Sequence, residues 1–200
     1  MPDLDVSLAL RAAASKEGNP ETIGAYAIAL GLRKDPGAES VLLKQMDRLE
    51  GRDTPRGYCA VGLGLLQAAG ASDAILDLVE SSKYRPELLK QASTGLALLQ
   101  QKRTVPTLIG MLSTTEAMAT QAALCGALGR IGDRDAVEPL LELLLDKREA
   151  ALTRGFAAVA LGVVCDPAPL PWSVELSRDL PYRASTATLV GGGLGVLDIF

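Results

Sequence analysis

Gly126-Ala127-Leu128-Gly129-Arg130-Ile131-Gly132-Asp133-Arg134-Asp135-Ala136-Val137-Glu138-Pro139-Leu140-Leu141-Glu142-Leu143-Leu144 reads as the end of one helix, a turn and the start of another. The first helix runs roughly from Glu116 to Arg130 and is rich in small apolar residues. Gly132 can take the left-handed conformation that ends helices. Asp135 is placed to cap the second helix, with Glu138 three residues on at the spacing of a capping box. Pro139 falls in the first turn, where its missing N–H costs least. Leu140, Leu141, Leu143, Leu144 and Leu145 then give an apolar stripe, with Glu142 and Asp146 on the other face.

Working outward, the core of this stretch returns. The frames are Ala29-Leu30-Gly31, Gly62-Leu63-Gly64, Gly95-Leu96-Ala97, Ala127-Leu128-Gly129 and Ala160-Leu161-Gly162, so the leucine recurs at spacings of 33, 33, 32 and 33. A fixed period of this size means stacked helical repeats. In each of five helix–turn–helix units a first helix carries the leucine and a second completes the unit. The first helices are expected at Thr22–Leu32, Gly57–Gln67, Pro86–Gln100, Glu116–Arg130 and Leu152–Val164. Ser72 and Thr104 are read as caps of the second helices in units two and three. An extra helix, Leu4 to Ala14, precedes the first unit. The pattern fails after Val164: Pro167, Pro169 and Pro171 forbid a regular helix, and Gly191, Gly192, Gly193 and Gly195 weaken any closing one. The expectation is one solenoid over residues 1–200, regular from about 20 to 164, with an atypical capping segment at 165–200.

Composition suits a stack without a central core. The chain is 48% hydrophobic but only 4% aromatic, so close contact between small side chains replaces large aromatic packing. Net charge is −4 and neither half is basic, which removes a nucleic-acid footprint at the level of bulk charge. There is no histidine, which excludes mechanisms that need imidazole as base, acid or ligand. Cys59, Cys125 and Cys165 form neither a disulfide framework nor a CxxC site, and the first two read as small buried thiols. No apolar run reaches the length of a membrane span and the N-terminus is not a signal peptide, so the expected location is the cytoplasm. No cofactor is implied.

At Gly126 to Leu144 the sequence resembles the short bacterial HEAT repeat, the type named after phycobilisome lyases; Val105-Pro106-Thr107-Leu108-Ile109 fits the same pattern. The resemblance covers about Pro20 to Val164. It implies an all-α, right-handed α-solenoid whose second helices line a concave, partner-binding face. It also implies a broad range of roles: scaffold, adaptor, accessory subunit similar to those of bilin lyases, metal-dependent hydroxylase or DNA glycosylase. The hydroxylases of this family hold iron with His–Glu pairs, which a chain without histidine cannot supply. The glycosylases rely on a basic groove with aromatic residues, and this acidic chain holds its single tryptophan, Trp172, in the degenerate tail.

Candidate binding residues follow from helical spacing. Glu138, Glu142 and Asp146 lie four apart, as do Asp73 and Asp77. Asp73 and Glu138 occupy equivalent places relative to the repeated leucine, and so do Asp77 and Glu142. Pro106 and Gly110 interrupt the stripe in the unit between. These carboxylates form either an acidic ridge for a basic protein or peptide, or an ordinary solvated helix face. Trp172, Tyr182 and Arg183 form either a contact patch or a cover over the last repeat. Gly31, Gly64, Gly129 and Gly162 are read as points of close helix approach. The favoured function is a non-catalytic interaction scaffold; the alternatives are an enzyme accessory subunit and a structural spacer.

Overall fold

The computed structural model of the protein describes residues 2–165. Ten α-helices and four short 3₁₀ turns account for the regular structure among them: α1 Pro2–Lys16, α2 Pro20–Leu32, α3 Glu39–Arg48, α4 Asp53–Leu66, α5 Ser72–Ser81, α6 Pro86–Leu98, α7 Val105–Thr114, α8 Met118–Ile131, α9 Val137–Leu145 and α10 Ala151–Cys165. The expected capping segment at 165–200, and with it Trp172, Tyr182 and Arg183, lies outside the described residues apart from Cys165.

The leucine-bearing helices are α2, α4, α6, α8 and α10. Each packs directly on the next. Leu30, Leu63, Leu96 and Leu128 are completely buried between them, whereas Leu161 is half-buried. Burying a leucine side chain contributes about 1.5–3 kcal/mol, so the repeated residue is the main adhesive of this layer. The glycines around it set the spacing. A Cβ added to Gly31 would lie 2.5 Å from the carbonyl oxygen of Gly62, and one on Gly64 would lie 2.5 Å from that of Gly95. Backbone therefore meets backbone between α2 and α4 and between α4 and α6. Gly62 and Gly95, on the other side of the leucine, are equally confined, by the Ala27 and Ala60 carbonyls. Gly129 is looser, with Ala160 Cα at 3.1 Å from its added Cβ. At Gly162, in the last described helix, nothing among the described residues lies within 4 Å of an added Cβ.

The pairing of helices differs in frame from the sequence reading. A second helix packs chiefly on the first helix of the following unit: α3 on α4, α5 on α6, α7 on α8, α9 on α10. The extra N-terminal helix α1 packs on α2 in the same way. The described residues thus hold five helix pairs, each an outer helix followed by a leucine-bearing one.

Successive outer helices pack chiefly on the inner layer, with direct contact between α1 and α3 as well. The backbone-to-backbone glycine contacts join leucine-bearing helices, so α2, α4, α6, α8 and α10 make one layer, the inner, and α1, α3, α5, α7 and α9 a second, the outer, packed on it.

Polar ties at nearly the repeat period bind neighbouring pairs. Gln45 Nε2 donates to the Ala14 carbonyl at 2.6 Å, Gln67 Nε2 to that of Leu98 at 2.6 Å, and Thr120 Oγ1 to that of Lys83 at 3.0 Å. Arg85 makes a two-pronged ion pair with Asp53, Nε to Oδ2 at 3.1 Å.

The caps also differ. Asp135, Thr104 and Ser72 do not cap the outer helices, because a 3₁₀ turn precedes each of these helices and shifts the start of regular backbone. Asp133 instead caps the 3₁₀ turn, its Oδ1 accepting from the Asp135 N–H at 3.0 Å. Thr104 Oγ1 donates back to the Gln101 carbonyl at 2.7 Å, and Ser72 is buried inside α5. At α2, Asn19 accepts from the Glu21 N–H at 3.0 Å and Pro20 opens the helix, a start two residues earlier than expected.

Candidate functional site

The predicted carboxylates all belong to the outer layer. Asp73 and Asp77 are exposed on α5, Glu138 and Glu142 are exposed on α9, and Asp146 caps the C-terminus of α9. They do not form one ridge. Helix α7 stands between the two groups and offers Pro106 and Gly110 at the matching places.

Two of the five are already engaged. Asp73 meets Arg103, from the turn before α7, at 3.0 Å. Asp146 accepts the Arg148 backbone N–H at 2.9 Å, and Nε and Nη2 of the same residue at 3.0 and 2.7 Å. Side-chain and backbone bonds from Arg148 bring its carboxyl down to about 2. Asp77, Glu138 and Glu142 have no partner among the described residues.

Between α7 and α9 the missing outer-layer contact leaves a groove of about 660 Å³. Its apolar wall comes from Ile109 and Leu112 of α7 and Leu143 of α9. This follows from the helical period: each helix turns residues three or four apart toward the same side. Glu142 and Asp146 line the groove, and so do Glu116 and Glu149. Four carboxylates face one cation, Arg148, which Asp146 already holds. The structure therefore brings Glu142 and Asp146 together but leaves Asp73 and Asp77 on a separate helix.

Gln121, buried at the start of α8, fixes one end of the groove. Its Nε2 donates to the Thr115 carbonyl at 3.2 Å and to Glu149 Oε2 at 3.3 Å, while its Oε1 accepts from Thr153 Oγ1 at 2.9 Å. One amide thus ties the loop before α8 to the loop before α10. Glu116 and Glu149 were not among the residues picked from the sequence. The signal for them was present: they stand 33 residues apart, one repeat, each just before a leucine-bearing helix.

The thiols offer no chemistry here. Burial pushes Cys59 and Cys125 up to about 12, so neither supplies a thiolate near neutrality. Among the described residues no cluster of acidic or cysteine side chains is arranged to hold a metal ion. None of the described helices is long and apolar enough to cross a membrane.

Comparison with known proteins agrees with the packing frame. The family model for HEAT repeats matches residues 72–162 and again 105–184. Ser72 is the first residue of α5 and Val105 the first of α7, so both matches begin where an outer helix begins. No curated protein matches the chain. HEAT repeats generally mediate protein–protein interaction and are generally non-catalytic. With its helix pairs, its period and these matched spans in one register, the chain belongs to the HEAT-repeat family.

Proposed function

We propose that the protein is a non-catalytic scaffold that binds a protein or peptide through the outer face formed by α5, α7 and α9. The observation that carries this reading is the opening between outer helices, where carboxylates stand beside an apolar wall. Asp77, Glu138 and Glu142 project from the same layer with no partner among the described residues, which leaves their charge to a basic segment. The same charge repels phosphate backbones, which argues against nucleic acid as the partner. The three cysteines are free, as suits a reducing compartment such as the cytoplasm.

The test is affinity capture from the source cell, with the protein and its Asp77→Lys/Glu138→Lys/Glu142→Lys variant immobilised side by side. All three side chains are exposed, so the variant keeps the fold, which circular dichroism verifies. A partner enriched on the parent protein should be absent from the variant. Equal retention by both would remove the outer face from consideration.

A further inference from the structure

We infer that the α7/α9 groove is a discrete docking site for a short segment of a partner protein that carries an arginine or lysine next to an apolar residue. The inference rests on the outer-face reading and narrows it to one place and one chemistry. The volume, about 660 Å³, falls within the range of ligand grooves, on the order of 300–1,000 Å³.

Two chemistries are built into the walls. Ile109 and Leu112 face Leu143 across the gap, which suits one apolar side chain of the guest. Glu116 and Glu142 stand exposed at the mouth with no partner among the described residues. Of the other two carboxylates, Asp146 holds Arg148, and Glu149 accepts from the neutral amide of Gln121. The groove thus keeps three uncompensated negative charges beside its apolar wall, those of Glu116, Glu142 and Glu149. A guest cation entering the groove would be attracted by these carboxylates and lower the net charge. An anionic guest would be repelled, and a purely apolar one would bury these carboxylates without partners. Arginine suits the task best, because its planar fork pairs with a carboxylate through two hydrogen bonds while its stem lies along apolar surface.

The experiment selects random linear peptides displayed on phage against the full chain. The best peptide is then titrated by calorimetry against the parent, a Glu116→Gln/Glu142→Gln variant, a Leu143→Ser variant, an Asp77→Asn variant and an Asp47→Asn control. The expected consensus holds Arg or Lys adjacent to a large apolar residue. Loss of both glutamates should weaken binding about 10-fold or more, most strongly at low salt, as should Leu143→Ser, while Asp47→Asn, exposed on α3, leaves binding unchanged. If Asp77→Asn weakens binding as much as the double variant, the guest spreads over the whole outer face; the groove is then overturned while the outer-face reading stands. If the selected peptides lack a cation, ignore every substitution, or fail to enrich at all, the groove assignment is wrong.

Discussion

At the scale of single residues, one position repeats as faithfully as the leucine. Four residues after it stand Lys34, Gln67, Gln100 and Gly132, with φ of 51°, 62°, 50° and 67°. Every leucine-bearing helix from α2 to α8 therefore closes through the same left-handed joint, yet only one joint uses glycine. Any other residue there costs roughly 1 kcal/mol. Gln67 offsets this with a side-chain bond to the next pair, whereas Gln100 is exposed and its side chain makes no hydrogen bond among the described residues. Gln100→Gly is expected to stabilise the protein by up to about 1 kcal/mol. The converse holds at Gly64, where a methyl would strike the Gly95 backbone: Gly64→Ala should cost about 1–3 kcal/mol. Urea unfolding of the two variants checks both signs.

At the scale of elements, α9 illustrates how a charge secures a helix end. The carboxyl of Asp146 titrates at about 2 in the folded protein and near 3.9 in an unfolded chain. A depressed folded value contributes stability above the unfolded one and loses it as pH falls toward the folded one. Asp146→Asn should therefore lower the urea midpoint at about pH 6, and the gap from the parent should close between about pH 4 and about pH 2. A gap that stays constant over that window would mean that the side chain acts through shape rather than charge. This cap was not legible in the sequence, where Asp146 reads as the third member of a helical triplet. Its role depends on Arg148, two residues on, folding back after the helix has stopped. The helices themselves were legible because the small-residue frame around Leu30, Leu63, Leu96 and Leu128 carries their packing face. The pairing was not. A turn such as Ile131 to Arg134 joins neighbours in sequence, but which neighbour a helix packs on depends on apolar faces that a single helix pattern does not rank. The 3₁₀ turns escaped notice for a related reason: Asp135 and Asp133 look equally good as caps until backbone geometry chooses between them. Of the groove, Glu142 and Asp146 were found from spacing on one helix, while Glu116 and Glu149 belong to loops that only tertiary packing brings beside them.

At the scale of the whole molecule, each pair rests on its neighbours alone, so damage should stay local. Leu63→Ala empties a fully buried site in α4, at a cost of about 2–5 kcal/mol. Hydrogen exchange should quicken in α4 and in its neighbours α2 and α6 while α10 keeps its protection. Uniform loss of protection from α2 to α10 would show that the stack unfolds as one cooperative block.

The left-handed joints give the repeats the same ends, as though any one could be lifted out and the chain resealed. The inner contacts forbid it. Gly64 meets Gly95 backbone to backbone, and the place that Gly95 holds in α6 is filled in α8 by Ala127. Excising residues 72–104 would rejoin equivalent joints but press the Ala127 methyl into the carbonyl of Ala60. The repeats share one grammar and still have a fixed word order: each inner helix is cut to fit the helix that follows it, and shuffling them would cost the molecule its closest contacts.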